Sequence, residues 1–164
     1  MIPKAPNTMK EAPLKEVTTK EIISGVTIRP IPSVDHDARG KVYRWCTGLL
    51  GKEITIFQRH AGVSFGNHYH KGIDPSRNPE RSLLLQGTAS FWAYNGLTKE
   101  RVENILLEEF TEIQVGKGIL HGMKAMTDVV LIEYRLTAFD ENHPDMYPAE
   151  TYGAYLKEME LTVK

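Results

Sequence analysis

His68 and His70 are separated only by Tyr69, and Glu80 and His121 follow them along the chain. Side chains alternate on a β-strand, so both imidazoles point to one face and Tyr69 to the other. A neutral imidazole is the commonest metal ligand near neutral pH, and a carboxylate with a third imidazole completes a set suited to Zn, Fe(II), Mn or Ni. Three nitrogens and one oxygen leave coordination positions open, as a catalytic ion requires if substrate or water is to reach it. A His-x-His pair by itself more often sits at the surface or in a hydrogen bond. Glu80 and His121 are what turn the pair into a candidate site for one divalent ion. His121 ends Val115-Gly-Lys-Gly-Ile-Leu-His121, where two glycines suit a tight turn that delivers a strand starting with the histidine.

The elements that must position these residues read as β-strands. Short runs rich in Val, Ile, Leu and aromatic residues cover residues 25–31, 41–46, 53–59, 82–86, 88–94, 102–107, 111–115 and 129–136. Asp-Ala-Arg-Gly40, residues 48–51, Asn95-Gly96 and Gly116-Lys-Gly118 separate them with turn chemistry. Asn95-Gly96 between Phe91-Trp-Ala-Tyr94 and the run from Val102 predicts a hairpin. Eight such strands without a long helical period predict an antiparallel sandwich or barrel. Only the tail looks helical: Tyr152, Tyr155, Leu156 and Met159 recur at spacings of three and four behind Pro148. Residues 1–20, rich in Pro and Lys, read as a flexible arm or a strand that orders against a neighbouring subunit. The expected organisation is an arm over residues 1–20, one β-barrel over 21–147 and a helix over 148–164.

Composition narrows the function. With 164 residues, 41% hydrophobic and 25% charged, the chain fits one globular domain with its own core. Twenty basic against twenty-one acidic residues give a net charge of −1, so no global field favours nucleic acid or an anionic membrane. The single cysteine, Cys46, forms no internal disulfide, fits a reducing cytoplasm and reads as a small buried apolar residue. The first twenty residues lack the apolar stretch of a signal peptide. Nothing resembles a Gly-x-Gly-x-x-Gly turn after a strand, so no nucleotide cofactor is expected.

Gly66-Asn-His68-Tyr-His70, then Glu80, Gly87 and Gly118-Ile-Leu-His121, resembles the two signature motifs of the cupin superfamily over roughly residues 25–147. The resemblance implies an all-β, single-domain jelly-roll barrel holding one metal ion on His68, His70, Glu80 and His121. A narrower match rests on Gly62-Val-Ser-Phe-Gly-Asn-His-Tyr-His70, Asp37-Ala-Arg-Gly40 and Phe139-Asp-Glu-Asn-His-Pro-Asp-Met-Tyr147. These segments are similar to the cupin domain of capsular-polysaccharide reductases acting on UDP-amino sugars, to which a zinc-dependent epimerisation is attributed. More loosely, they are similar to epimerases and ketoisomerases of dTDP-deoxyhexose pathways.

Such a job requires removing a proton beside a carbonyl, and the enediolate that results carries negative charge on oxygen. A divalent cation suits that charge. Tyr94, His60 and Glu133 are candidates for the proton acceptor; Glu133 stands out because it interrupts the apolar Val129-Val-Leu-Ile132, although a glutamate at a strand end commonly meets solvent. Lys117 reads first as a turn lysine and second as a contact for a phosphate. The expectation is a cytoplasmic, metal-dependent isomerase or epimerase of a sugar, nucleotide-linked, working as a homodimer because exposed sheet edges pair. Two alternatives use the same residues: an Fe(II) dioxygenase on a small organic substrate, and a non-catalytic carbohydrate-binding module.

Overall fold

A computed structural model describes residues 18–37, 40–43, 45, 48 and 50–162. The strands in chain order are β1 (Lys20–Ile23), β2 (Val26–Pro30), β3 (Ser33–Asp37), β4 (Gly40–Tyr43), β5 (Glu53–Arg59), β6 (Ser64–Tyr69) and β7 (Glu80–Gln86). They continue with β8 (Ala89–Asn95), β9 (Glu100–Leu107), β10 (Thr111–Val115), β11 (Ile119–Ala125), β12 (Val129–Arg135) and β13 (Tyr147–Pro148), and the described chain closes with helix α1 (Tyr152–Thr162). Short 3-10 turns occupy Pro75–Arg77 and Ala149–Thr151. The segment 1–17 of the expected arm, Ala38 and Arg39 of the Asp-Ala-Arg-Gly turn, and Cys46 lie outside the described residues.

Every strand pair is antiparallel. One sheet runs β1-β2-β10-β7-β12-β5 and the other β13-β6-β11-β8-β9, with β3 and β4 forming a separate hairpin. The alternation along each strand explains why two sheets form: β12 buries Val129, Leu131, Glu133 and Arg135 and leaves the residues between them half-buried. The apolar members of the two inner faces meet in a core built on Val26, Leu84, Phe91, Leu107, Ile113 and Ile119. That core fills the side of the barrel nearer β1, β2 and β9. The side formed by β5, β12 and β6 holds a cavity instead.

The hairpin at Asn95-Gly96 joins β8 to β9, and Asn95 Oδ1 accepts hydrogen bonds from the backbone of Leu97 and Thr98, which fixes the turn. The tail is helical, although its first turn is 3-10. Helix α1 docks through a cluster of tyrosines: Tyr152 and Tyr155 pack at a tilt against Tyr69, which stacks on Tyr147. The Tyr152 hydroxyl accepts from Gly96 N at 2.9 Å and donates to Gly118 O at 2.7 Å. On the same outer face Trp92 covers Gly122, where an added Cβ would fall 2.8 Å from the indole. Among the described residues no helix is long and apolar enough to cross a membrane.

Candidate functional site

His68 lies near the end of β6 and His70 one residue beyond it, so Tyr69 points into the tyrosine cluster while both histidines point into the barrel. A bulge sets this arrangement. His121 pairs with His68 and Met123 with Phe65, so β6 spends one more residue than β11 over the same stretch. Gly66 carries the extra residue at a φ of 91°, and a Cβ there would meet Gly122 Cα at 3.0 Å. His121 is the third residue of β11, not its first: Gly118, at a φ of 72°, makes the turn, and Ile119 opens the strand inside the core. Glu80 opens β7, delivered there by the loop through the 3-10 turn Pro75–Arg77.

One ligating atom from each of His68, His70, Glu80 and His121 lies within 4.8 Å of the others. His70 Nε2 is 2.5 Å from Glu80 Oε2 and 3.1 Å from His68 Nε2, and His121 Nε2 is 3.9 Å from Glu80 Oε1. Backbone carbonyls hold two of the rings from behind. His70 Nδ1 donates to Asp145 O at 2.6 Å and His121 Nδ1 to Ile119 O at 3.0 Å, which turns both Nε2 atoms inward. His121 Nε2 is buried with no hydrogen-bond partner among the described residues, a costly state for a polar atom unless something binds there. A divalent cation fits this donor set: it would take the inward lone pairs and the Glu80 carboxylate, at ligand spacings close to those present.

The electrostatics favour neutral His68 and His121 rings beside a charged carboxylate. Burial, followed by the nearby His121, pushes His68 down to about 3, and burial is also the chief cause of the lowering at His121. Burial works against the Glu80 carboxylate, but hydrogen bonding with His70, together with the Arg77 guanidinium, holds it well below the usual range. Neutral imidazoles and an ionised carboxylate are the forms that bind metals.

Around the cluster runs an ionic network. Arg77 Nη1 bridges Glu80 Oε2 (2.9 Å) and Glu133 Oε2 (2.8 Å), while Arg135 joins Glu133 Oε1 (2.9 Å) to Asp74 Oδ2 (2.6 Å). Glu133 is 4% exposed, so it is a buried residue of the barrel interior and not a solvated strand end. Its carboxyl is pushed up by burial and by the neighbouring Glu80, against the pull of the two arginines. Asp145 anchors the loop: its carboxylate accepts from Lys71 N at 2.9 Å and Asp74 N at 3.0 Å, and it adopts a φ of 44°.

His68, Glu80, His121, Arg77, Glu133 and Arg135 line a cavity of about 640 Å³ that also presents Phe57, Phe65, Met123, Leu131 and Phe139. Glu133 of the expected proton-transfer candidates lies in its wall. Tyr94 and His60 do not. Tyr94 faces the outside of β8 against Tyr152, because its neighbours Ala93 and Phe91 take the inner positions of the alternation. The His60 side chain, 93% exposed, stands in the turn after β5 beside Asp128. Lys117 is an exposed turn residue lying near Gly72, outside the cavity lining. Arg77, Arg135, Asp74 and Asp145 belong to the site and carry no spacing signal; the acid-rich segment after Phe139 was the only local hint of Asp145.

No family model matches this chain, and no curated protein does. Solved structures do. A sugar 3,4-ketoisomerase from Thermoanaerobacterium thermosaccharolyticum in complex with TDP superposes over 84% of this chain and 98% of its own, at 16% identity and a TM-score of 0.65. The fold is the cupin jelly roll. A dTDP-4-dehydrorhamnose 3,5-epimerase from Sulfolobus tokodaii shares it at 17% identity, over 79% of this chain and 80% of that one, with a TM-score of 0.63. So does a TDP-quinovose 3,4-ketoisomerase from Campylobacter jejuni, at 18% identity, 82% and 99% coverage and a TM-score of 0.65. These neighbours are an epimerase and two ketoisomerases of sugars, two of them named for TDP-linked sugars and the third in complex with TDP.

Proposed function

We propose that this cupin moves a proton beside the carbonyl of a keto sugar linked to a nucleotide, with a divalent cation held by His68, His70, Glu80 and His121. The observation that carries the reading is the convergence of those four groups, with a buried His121 Nε2 that has no partner among the described residues, beside a cavity lined by His68, Glu80, His121 and Glu133. The shared fold of sugar epimerases and ketoisomerases supports the reaction class, and the motif resemblance to capsular-polysaccharide reductases supports the cation.

A bound cation would supply positive charge for the oxygen that becomes negative as the proton leaves. The chain supplies the rest. Glu133 is the group we assign to proton transfer: its carboxylate lines the cavity, and burial with Glu80 beside it raises its pKa above the usual carboxylate value. Arg77 and Arg135 hold its two oxygens in place. Phe57, Phe65 and Leu131 keep one side of the cavity apolar, which strengthens the electrostatics of the other. The single Cys46 supports a cytoplasmic enzyme, and the place of β5 at the edge of its sheet among the described residues supports a homodimer. A mass of one chain by light scattering would remove the dimer alone.

Incubating TDP- and UDP-linked 4-keto sugars with zinc-, iron- or manganese-loaded protein in deuterated water tests the reaction. Deuterium should appear on the carbon beside the carbonyl, and no incorporation with any metal across the panel overturns the reading. Elemental analysis of the purified protein identifies the cation, and iron accompanied by oxygen uptake would redirect the assignment to a dioxygenase.

A further inference from the structure

Four inward-facing pairs cross from β5 to β12, and their chemistry changes steadily along the cavity. Glu53 faces Arg135 and Thr55 faces Glu133 at one end; Phe57 then faces Leu131, and Arg59 faces Val129. Six residues of strand, about 20 Å, separate Glu53 from Arg59. The ionic end holds the histidines and the carboxylates, the middle is apolar, and the far end carries a guanidinium.

Three arginines line the cavity. Arg77 and Arg135 are held by carboxylates, whereas Arg59 has no carboxylate partner among the described residues. Its guanidinium donates to Gln58 O at 2.9 Å and lies over two rings, 5.3 Å from the centre of Phe57 and 5.7 Å from that of Phe65. Packing against the two rings leaves the remaining guanidinium donors available to an oxyanion, the group that arginine recognises in phosphate. Phe65 pairs with Met123, which is two residues, about 7 Å along the strand, from His121. A phosphoryl group on Arg59 would therefore share one cavity with His68 and His121.

We infer that Arg59, backed by Phe57 and Phe65, is the anion anchor of this cavity, binding the phosphoryl group of a phosphorylated sugar so that the sugar ring reaches His68, His121 and Glu133. The inference rests on the proposed function for the identity of the sugar end, but the anchor itself requires only a phosphoryl group. Its ligand chemistry comes from two sources, a nucleoside diphosphate or a simple sugar phosphate.

Calorimetric titration of the full chain with thymidine diphosphate, glucose 1-phosphate and, as a phosphate-free control, thymidine separates the possibilities. At least one phosphorylated probe should bind, and Arg59→Gln should weaken that binding roughly ten- to a hundredfold, the worth of one charge-assisted contact. Arg59→Lys should recover part of the loss, and thymidine should bind both proteins equally. The melting temperature of each variant confirms that it is folded. Equal binding of the phosphorylated probes to wild type and Arg59→Gln, or no binding of either to wild type, overturns the anchor. If glucose 1-phosphate binds through Arg59 and thymidine diphosphate does not, the anchor stands and the nucleotide-linked substrate falls. If diphosphate binding depends on Arg59 while no keto sugar exchanges its proton, the anchor stands and the proposed reaction falls.

Discussion

The two halves of the barrel interior obey the same alternation and fill it with opposite chemistry. Towards β1, β2 and β9 the inward positions are Val26, Leu107 and Ile113, while towards β5, β12 and β6 they are Glu133, Arg135 and His68. The first half gains stability from each apolar group withdrawn from water, about 25 cal/mol per Å². The second half holds two arginines and two glutamates out of water, where mutual pairing only offsets the cost of desolvation. A barrel selected for stability alone would have closed both halves with hydrocarbon. The polar half is where the proposed chemistry would take place.

Substitutions in the two halves sharpen that contrast. Phe91→Ala, at a fully buried core position, should cost about 3–5 kcal/mol in chemical denaturation by leaving a void. Glu133→Ala should cost a similar 3–5 kcal/mol for a different reason, because it strips Arg77 and Arg135 of a shared buried partner. A loss below about 1 kcal/mol for Glu133→Ala would show that the network is far wetter than its burial indicates. His121→Ala should abolish tight cation binding, measured by competition with a chelator, and should also cost the cation-free protein about 1–3 kcal/mol, since it removes a buried ring whose Nδ1 donates to Ile119 O. Retained cation affinity would break the proposed ligand set.

Acid separates the halves without mutation. In the cation-free protein the folded state holds His68 at about 3 and lowers His121, whereas the unfolded chain protonates both near 6.5. The stability that depends on neutral rings is complete above about pH 6.5 and is lost as the pH falls toward 3. Glu80, also depressed, adds a further loss below its ordinary 4.5, while the raised Glu133 acts with the opposite sign. Two histidines against one carboxyl should make the melting temperature fall between pH 7 and pH 5, and added zinc should raise it most at pH 7. A melting temperature that rises on acidification would contradict the neutral-ring description. The smallest effect is expected on the outer face: Tyr152→Phe removes bonds to Gly96 N and Gly118 O and should cost about 1–2 kcal/mol without changing the ligand set.

Strand periodicity and turn residues made the β architecture legible, because alternation and Gly or Asn at turns are local signals. Residues 53–59 and 111–115 were readable at their true bounds, and the hairpin at Asn95 followed from its dipeptide. His68, His70, Glu80 and His121 stood out by residue type. Their partners did not. Arg77 sits in a loop between Gly72 and Pro79 and reads as solvated, and Arg135 closes a strand; each becomes interior only when residues about sixty positions apart are brought together. The strand register of Ser64–Tyr69 was hidden for a related reason, since a bulge interrupts the period of two at Gly66. Tyr94 misled because alternation was applied without knowing which parity faced inward.

Trp92 rests against Gly122, the residue after His121, and only Trp45, which meets Tyr134 at the other sheet, shares its fluorophore type. Changing Trp45→Phe would leave a single indole emitter pressed on the backbone behind the cluster. The molecule thus carries its own optical gauge, able to register occupancy of the cavity in real time without a label or a known substrate.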